Sequence, residues 1–485
     1  MMRSFFHTGW LFSLFLSVVT AGFIDIDTPE DSYTVQSIED QREYELVFSD
    51  EFNEEGRLFY DGYDPKWTVM HKDDYTNAAL QFYHKDNVKT SGGFLNITSE
   101  RKDITFKAFA DNNRTWFDMT KHYRSGMLQG WNKFCFVGGI VEISAELPGQ
   151  SDIGGLWPAM WIMGNLARAT FTGTSDNVWP WSFDKCDPTV QQQQKFSACN
   201  NVNHYGFKPN KGRGAPEIDI LEVLPGSGGL PDTTTKKPYL SSSFQVSPGL
   251  DSMYRPQVDH YPIPGNWYGP GGFLYGNDSA MNIFFYGEKL ISREAASLNY
   301  LADALSANTN LRPTHFDRQH LYRLEWIPGD GGYLRWYLDG QMIYGISQDA
   351  LINGAIFPEE PSYLILNTAI SSMWGFPAPC PSTCGCDCWD CEKTECLCAV
   401  PTNMCQNLPA DFLIDYVRVY QVPGDPKQWV GCNSEEFPMT RYLEHNRHLY
   451  TEKGADAPLQ PIQKGGGACA GDEGCGAGGN CSVAA

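Results

Sequence analysis

Short stretches in which apolar and polar residues alternate dominate the chain, and a period of two is typical of half-buried β-strands. Residues 140–147 place valine, isoleucine, alanine and leucine on one face, and glutamate and serine on the other. Residues 322–326 alternate in the same way, and residues 412–420 are rich in β-branched and aromatic side chains. Asp339 and Gly340 separate two apolar runs and predict a hairpin, because both residues accept the positive φ of a type I′ turn.

One segment has a helical pattern instead. Ser292 is a suitable N-cap, and leucine or alanine follows at positions 298, 301, 302 and 305, which share one face of a helix. We therefore predict a helix near residues 292–305. Many short strands and few helices indicate an all-β fold, in which two antiparallel sheets pack as a sandwich or jelly roll.

The strand-rich pattern also sets the predicted domain boundaries. It runs over residues 44–422 and includes a cysteine-rich insert at residues 380–405. Residues 22–43 are acidic, have little apolar periodicity and are interpreted as a linker. Residues 423–485 are interpreted as a polar tail that ends in Gly and Cys.

Residues 1–21 predict that the protein enters the secretory pathway. Arg3 precedes an apolar run that ends in small residues, which is typical of a secretory signal peptide. The run is shorter than the ~20 residues of a spanning helix, so cleavage is favoured and an uncleaved membrane anchor is the alternative. We expect a lumenal, vacuolar, cell-surface or secreted protein. Asn-X-Ser/Thr glycosylation motifs agree with this route and occur at Asn96, Asn113, Asn277 and Asn480.

The composition excludes several classes of partner. Hydrophobic residues make up 42% of the 485 residues and charged residues 19%, which indicates a folded protein. The formal net charge of −22 argues against nucleic-acid binding and against a polybasic membrane patch. Fifteen cysteines suit an oxidising compartment.

The sequence EIDILE, which begins at Glu217, carries the clearest candidate chemistry. Glu217 and Asp219 are two residues apart and share one face of a strand, whereas Glu222 would point the opposite way. A β-bulge at Ile220 and Leu221 would return Glu222 to the carboxylate face, and bulges are frequent beside active sites. A solvated acidic edge strand is the alternative, although the apolar residues between the acids favour burial.

Neighbouring carboxylates on one face suit the cleavage of a glycosidic bond. A separation of ~5–5.5 Å supports a retaining mechanism, and ~6.5–9.5 Å leaves room for the water of an inverting one. Mutual repulsion raises the pKa of one acid, which keeps that acid protonated as a proton donor. The aspartate between the two glutamates can tune this coupling.

Several tryptophans are candidates for sugar contacts. Trp157 and Trp161 lie in the run GGLWPAMWIMG, and Trp179, Trp181 and Trp374 are weaker candidates. Aromatic rings offer flat faces to the C–H side of sugars and line ligand clefts. Plain core packing is the alternative for each of them.

Six stretches between residues 44 and 421 form a series: LVFSDEFN (46–53), GMLQGWNKFCFVGGIVEISAELPG (126–149), GLWPAMWIMGNLARA (155–169), GRGAPEIDILE (212–222), HLYRLEW (320–326) and IDYVRVYQ (414–421). In this order they resemble glycoside hydrolase family sixteen, the laminarinase-like enzymes. They are most similar to the fungal β-glucan synthesis-associated proteins of the KRE/SKN type.

The resemblance implies a β-jelly-roll sandwich with a concave sugar-binding cleft, and a retaining mechanism. It implies that Glu217 is the nucleophile, Glu222 the general acid/base and Asp219 a helper acid. It also implies sugar contacts at Glu142 and Asn367. The partner is then a β-glucan polysaccharide or oligosaccharide, and the chemistry requires no cofactor and no metal ion.

Eight cysteines crowd the insert at residues 380–405. In a secreted chain they favour a disulfide-stapled loop near the cleft rim, and a thiolate metal cluster is the alternative. Cys186 and Cys199 are a further candidate pair. The odd total leaves at least one thiol free or intermolecular.

The resemblance favours an enzyme that remodels β-glucan, as a glycosidase or as a transglycosidase in β-1,6-glucan assembly. One alternative is a non-catalytic glucan-binding or scaffold protein of the secretory pathway. Another is a secreted laminarin (β-1,3-glucan) hydrolase. The intact acids argue against pure binding, because binding alone needs no paired carboxylates.

Overall fold

The structure, a computed structural model, describes residues 22–110, 115–228, 235–250, 268–282, 286–293, 295–377, 381–384 and 388–451. The predicted N-terminal signal, the glycosylation motifs at Asn113 and Asn480 and the end of the predicted tail lie outside these residues. Within them, we find no helix with the length and apolar character needed to cross a membrane.

Strands account for most of the regular structure in the described residues. They are β1 (Thr34–Gln36), β2 (Glu43–Asp50), β3 (Thr68–Val69), β4 (Lys72–Asp73), β5 (Gln81–Tyr83), β6 (Val88–Ser91), β7 (Phe94–Ala110), β8 (Thr115–Ser125), β9 (Met127–Gln129), β10 (Phe136–Val137), β11 (Gly139–Glu146), β12 (Trp157–Gly164), β13 (Glu217–Leu224), β14 (Tyr239–Val246), β15 (Phe273–Tyr275), β16 (Ser279–Met281), β17 (Tyr286–Leu290), β18 (Tyr300–Asn310), β19 (His320–Ile327), β20 (Tyr333–Leu338), β21 (Gln341–Ser347), β22 (Ser362–Ala369), β23 (Ala410–Gln421) and β24 (Trp429–Val430).

The helices are short. The α-helices are α1 (Thr172–Ser175) and α2 (Thr440–His445), and the 3-10 turns are Glu30–Ser32, Lys85–Asn87, Pro270–Gly272, Ala296–Leu298, Pro313–Phe316, Gln348–Ala350, Thr394–Ala399, Met404–Gln406 and Arg447–Leu449.

The strands form two large sheets. Sheet A has the order β15-β21-β20-β19-β11-β23-β7-β8-β5-β4, with β2 added to β23, β1 to β2 and β6 to β7. Sheet B has the order β16-β18-β14-β13-β12-β22-β10-β24, with β17 added to β18, β9 to β22 and β3 to β9. Among the described strand pairs, only β5 and β8 run parallel. The prediction of an all-β sandwich of two sheets is confirmed.

The inner faces of the two sheets share one apolar core. Strand β11 of sheet A contributes Val141 and Ile143, as its alternation predicts. Strands β12 and β13 of sheet B contribute Met160, Ile162 and Ile218 to the same core. Because alternate residues of each strand point inward, the opposite face of each sheet remains available for polar side chains.

A β-bulge interrupts β13, the central strand of sheet B. Its register with β14 shifts between Asp219 and Glu222. On the other side, Met160 and Trp161 are adjacent in β12 but lie opposite Leu221 and Asp219, so Ile220 has no partner in β12. The bulge predicted at Ile220 and Leu221 is therefore confirmed. Both of these side chains are buried in the core, and the three acids lie on the other face.

Two buried side chains bind the carbonyl groups of the bulge. The indole nitrogen of Trp336, from sheet A, donates to the carbonyl oxygen of Asp219 at 2.9 Å. The hydroxyl of Ser242, from β14, donates to the carbonyl oxygen of Ile220 at 3.0 Å. A bulge disturbs the regular ladder of hydrogen bonds, and buried carbonyls need partners. The core thus supports the bulge directly beneath the acids.

The helix predicted near residues 292–305 is wrong. A 3-10 turn at Ala296–Leu298 leads into β18, which pairs with β14 from Asp303 to Asn310. The hydroxyl of Ser292 caps no helix and instead donates to the side chain of Asn177 at 2.7 Å. Nearly every residue of β18 is buried. Cross-strand pairing and burial override a helical spacing, which is only a weak local preference.

The segments before and after the predicted domain are parts of it. Strand β1 pairs with β2, and the hydroxyl of Ser37 and the backbone N–H of Ile38 both donate to Glu325 at 2.7 Å. Within residues 423–451, β24 pairs with β10, and a disulfide joins Cys135 to Cys432. Both segments also pack apolar side chains against buried clusters, such as Val35 in the first and Met439 and Leu443 in the second. Their apolar residues are few and follow no regular period, so the sequence pattern did not reveal this packing.

The cysteine-rich insert is stapled by disulfides, as predicted. It packs against Leu156 and Ile370, which adjoin β12 and β22 of sheet B. The pair Cys186 and Cys199 is also bonded. Cys380 and Cys386 lie outside the described residues. The disulfides within the described part of the insert are Cys384–Cys398, Cys388–Cys396 and Cys391–Cys405.

Two of the predicted glycosylation sites have different surroundings. Asn277 is exposed between β15 and β16. Asn96 is half-buried in β7, where its side-chain oxygen accepts a hydrogen bond from the Thr98 hydroxyl at 3.1 Å. An attached glycan is therefore easier to accommodate at Asn277.

The hydroxyl of Ser242 offers a test of how the bulge is held. We expect Ser242→Ala to lower the free energy of unfolding by about 1–2 kcal/mol, because a buried carbonyl loses a hydrogen bond. Urea denaturation of the variant and the wild type measures the difference. Ser241→Ala is the matched control, because the Ser241 hydroxyl pairs with Ser306 on the opposite face. If Ser242→Ala lowered the free energy of unfolding by less than Ser241→Ala does, the role of Ser242 would be contradicted.

Candidate active site

Three acidic side chains project from β13 on the face of sheet B that turns away from the core. Glu217, Asp219 and Glu222 are all buried. The flanking strands β12, β14 and β22 present side chains to the same face, because antiparallel partners in register share a face. The acids therefore lie in a closed polar environment and not on an exposed edge strand.

Neutral donors hold Glu217 and Asp219. The indole nitrogen of Trp179 donates to Oε2 of Glu217 at 2.6 Å, and the amide of Gln245 donates to Oε1 at 2.7 Å. Gln245 also reaches Oδ2 of Asp219 at 3.3 Å, and the Ser243 hydroxyl donates to the same oxygen.

A stacked pair of indoles positions Glu222. The indole nitrogen of Trp157 donates to Oε1 of Glu222 at 3.2 Å. The ring of Trp157 stacks on Trp374, with centroids 4.5 Å apart and planes 12° from parallel. Trp374 in turn donates to the carbonyl oxygen of Val223 at 2.9 Å. Oε2 of Glu222 is buried and has no hydrogen-bond partner among the described residues.

Burial raises the pKa values of all three acids, and repulsion by neighbouring charges raises those of the two glutamates further. Burial is the largest cause for Glu217, followed by the charges of Asp219 and Glu222, and its pKa lies well above the ordinary range. Burial and then the charge of Asp219 raise the pKa of Glu222 in the same way. Burial raises the pKa of Asp219 to about 6. The site therefore retains protons at a pH where exposed carboxyl groups have lost them.

Trp161 and Asn367 bind to each other beside the acids. The indole nitrogen of Trp161 donates to Oδ1 of Asn367 at 2.8 Å, and the amide of Asn367 donates to the hydroxyl of Tyr83 at 3.2 Å. Trp161 pairs with Asp219 across β12 and β13 and is partly exposed. Five of the seven candidates for sugar contacts come to the carboxylate side of sheet B: Trp157, Trp161, Trp179, Asn367 and Trp374.

Glu142, another of these candidates, is not part of the site. It lies in β11 of sheet A, on the face opposite to the core, and forms an ion pair with Arg323 at 3.1 Å. Arg323 also pairs with Glu325 at 2.7 Å, and the N-terminal segment binds Glu325. The sugar contact expected at Glu142 is therefore corrected: alternation identified a polar face, but that face belongs to the other sheet.

Ser243 and Gln245 were missed in the sequence analysis. In β14 they alternate with Phe244 and Val246, which enter the core. This period of two was a usable signal for a strand with one polar face. It did not reveal that β14 lies beside β13, because that neighbour relation depends on the topology of the sheet. Trp179, a weaker candidate, contacts Glu217 directly, whereas Trp181 packs in a separate apolar cluster.

Metal-ligating side chains also meet away from the three acids. One such group in the described residues comprises His315, His320 and Asp339, all in or beside strands of sheet A. It is separate from the carboxylate face. The carboxylate face itself brings together three buried carboxyl groups with raised pKa values, an arrangement compatible with acid–base and covalent chemistry.

Comparison with known sequences identifies relatives over most of the chain. The profile of the family described as "Beta-glucan synthesis-associated protein SKN1/KRE6/Sbg1" matches residues 11–379. The Candida albicans protein named beta-glucan synthesis-associated protein KRE6 is 33% identical over 90% of this chain and 53% of its own length. The Saccharomyces cerevisiae protein named beta-glucan synthesis-associated protein SKN1 is 30% identical over 90% of this chain and 50% of its own length. The chain thus spans about half the length of these relatives.

The solved structures that are similar to this chain include two endo-1,3-beta-glucanases. The catalytic domain of an endo-1,3-beta-glucanase from Thermotoga petrophila is 19% identical, with a TM-score of 0.41 over 79% of this chain and 99% of its own. The endo-beta-1,3-glucanase from Pyrococcus furiosus is 18% identical, with a TM-score of 0.42 over 80% of this chain and 98% of its own. The family expected from the sequence motifs is confirmed by the profile and by the curated relatives: the chain belongs to the SKN1/KRE6/Sbg1 family of β-glucan synthesis-associated proteins.

Proposed function

We propose that the chain is a retaining glycosidase or transglycosidase that acts on β-glucan, with a role in β-1,6-glucan assembly or remodelling. The observation that carries the proposal is the buried carboxylate face of β13, where neutral donors hold Glu217, Asp219 and Glu222. Such a face supplies an ionisable nucleophile beside a protonated acid. Family membership supports β-glucan as the substrate class, since the curated relatives are named for β-glucan synthesis.

The first half-reaction forms a covalent glycosyl-enzyme. Ionised Glu217 attacks the anomeric carbon, while Glu222 transfers its proton to the departing glycosidic oxygen. Hydrogen bonds from Trp179 and Gln245 favour the ionised form of Glu217 and aim its oxygens. Oε2 of Glu222 makes no hydrogen bond to any described residue, so no other group competes for its proton.

The second half-reaction reverses the proton transfer. Glu222, now ionised, takes a proton from an incoming hydroxyl, whose oxygen attacks the anomeric carbon and releases Glu217. The charge of Asp219 raises the pKa of both glutamates. Asp219 therefore helps Glu222 to hold a proton in the first step and to accept one in the second.

The nature of the acceptor decides between hydrolysis and transfer. Water as the acceptor shortens the glucan, whereas a sugar hydroxyl extends or branches it. The rings of Trp157 and Trp161 are partly exposed beside the acids, where they can stack on an acceptor sugar and displace water. This favours transfer in the presence of abundant acceptor.

We also propose that the protein works in the secretory pathway or at the cell surface. The disulfides of the described residues suit an oxidising compartment. The apolar segment within residues 1–21 then serves as a cleaved signal or as a membrane anchor, and its processing can be read from the N-terminal sequence of the mature protein.

Glu217 is the decisive residue for the enzymatic proposal. We expect Glu217→Gln to lower turnover about 10³-fold or more, because an amide cannot form the glycosyl-enzyme. Purified full-length protein is incubated with β-1,3-gluco-oligosaccharides, and the products are sized and linkage-mapped. Longer or β-1,6-branched products from the wild type alone support a transglycosidase.

Glu142→Gln is the matched control, since it makes the same chemical change in sheet A. We expect this variant to keep its turnover per folded molecule. Unchanged activity in Glu217→Gln would end the catalytic assignment. Products that only shorten, even with abundant acceptor, would make the protein a hydrolase. Oligosaccharide binding without any product would favour a glucan-binding scaffold.

Asp219 controls the pH dependence. Its negative charge raises the pKa of Glu217 and Glu222, so Asp219→Asn lowers both values. Activity needs Glu217 ionised and Glu222 protonated, so both limbs of the bell-shaped profile of kcat/KM should move to lower pH in the variant. Initial rates from pH 3 to 9 measure both limbs. A basic limb that stays fixed or moves to higher pH would contradict this coupling.

A further inference from the structure

A row of side chains crosses five strands of sheet B at the level of Glu222. Glu222 pairs with Ser241 of β14, and Ser241 pairs with Asn308 of β18. On the other side, Glu222 pairs with Ala159 of β12, and Ala159 pairs with Asn367 of β22. Antiparallel partners in register share a face, so all five side chains lie on the carboxylate face. Glu222 is therefore flanked by two asparagines, each two strands away.

The alternation of β18 shows which face Asn308 occupies. Leu305 and Ala307 enter the core, so the side chain at position 308 points away from the core. Asn308 is only 2% exposed, but Asp219 and Glu222 on the same face are 1% and 7% exposed. The exposed fraction of Asn308 thus lies within the range of the acids themselves, and its burial does not separate it from the site.

The side-chain oxygen of Asn308 lacks a hydrogen-bond partner. Oδ1 is buried and makes no hydrogen bond to any described residue. Two polar neighbours on the same face bind each other instead, since the hydroxyls of Ser241 and Ser306 are 2.7 Å apart. Oε2 of Glu222, in the same row, is also buried without a partner among the described residues. Burial of a polar atom without a hydrogen bond costs free energy, so two such atoms in one row indicate a ligand with polar groups.

Small residues separate Glu222 from both asparagines. Ser241 lies between Glu222 and Asn308, and Ala159 lies between Glu222 and Asn367. Neighbouring strands are ~4.8 Å apart, so the backbone of each asparagine lies about 10 Å from that of Glu222. A sugar ring can therefore lie over each small residue and contact the carboxyl group at one edge and an asparagine at the other.

We propose that Oδ1 of Asn308 accepts a hydrogen bond from a hydroxyl group of a glucosyl unit that lies over Ser241, beside Glu222. This inference rests on the proposed function and adds the path of the chain. A β-glucan that crosses the strands contacts Asn367 on one side of the scissile bond and Asn308 on the other. Ser241, Ser306 and Asn308 offer hydroxyl and amide groups without charge, which suits a neutral sugar. Asn308 thereby selects ligands that present a hydroxyl group at this point.

Binding of β-1,3-gluco-oligosaccharides of increasing length to the full-length Glu217→Gln protein tests the proposal. This variant is expected to bind glucan without turnover, so isothermal titration calorimetry can measure the dissociation constants. We expect an added Asn308→Ala to weaken binding of the longest oligosaccharides about tenfold, as the loss of one hydrogen bond predicts. Asn310→Ala is the matched control, because Asn310 lies on the same face of β18 but its Oδ1 already accepts the backbone N–H of Lys236 at 2.7 Å.

Asn308→Leu separates a binding role from a structural one. Leucine removes the unpartnered oxygen and keeps a similar volume, so we expect the melting temperature without sugar to stay equal or to rise. Binding in the Glu217→Gln protein should weaken as it does with Asn308→Ala. A lower melting temperature together with unchanged binding would identify Asn308 as a structural residue and overturn the proposal.

The outcomes for the sugar contact and for catalysis are distinct. Unchanged binding with Asn308→Ala, or an equal loss with Asn310→Ala, would overturn the contact and leave the enzymatic proposal standing. Binding that depends on Asn308, in a protein whose wild type yields no product, would support the contact and reject catalysis. No binding of any oligosaccharide to the Glu217→Gln protein would overturn the contact together with β-glucan as the ligand.

Discussion

Three carboxyl groups buried together on one strand impose the constraint on which the rest of this structure depends. A regular strand cannot present Glu217, Asp219 and Glu222 on one face, because the last interval is three residues and the side-chain period is two. The bulge resolves this mismatch. It also places two successive apolar residues in the core and disturbs the backbone ladder on both sides. Trp336 and Ser242 bind the carbonyls of the bulge from within the core.

The same constraint affects stability. Raised pKa values mean that the folded protein binds protons more tightly than the unfolded chain does. At a pH below the unfolded pKa values both states are protonated, and the acids cost no stability. As the pH rises, the unfolded chain ionises first, and the folded state loses stability until its own acids ionise; at higher pH the loss stays constant. The large shared core and the disulfides, such as Cys135–Cys432, offset this loss.

Sequence reasoning succeeded where a local pattern had one physical solution. The spacing of the three acids and the apolar residues between them predicted the bulge, because no regular strand satisfies both. It failed where the answer depended on sheet neighbours. Residues 292–305 have a helical spacing but become β18, since pairing with β14 decides their state. Glu142 and Gln245 each lie on a polar strand face, and only the topology shows which face adjoins the acids.

The character of the donors to the two glutamates explains how one site can both accept and donate a proton. A buried cation beside a carboxylate would hold its pKa low and keep it ionised. Here the donors to Glu217 and Glu222 are indole and amide groups, which carry no charge. Uncharged donors orient the carboxyl groups without cancelling their negative charge, so the pKa values stay raised and the protons can be transferred. Because Glu222 must lose its proton in one half-reaction of the proposed mechanism and regain it in the next, the neutral character of its indole donor suits that chemistry.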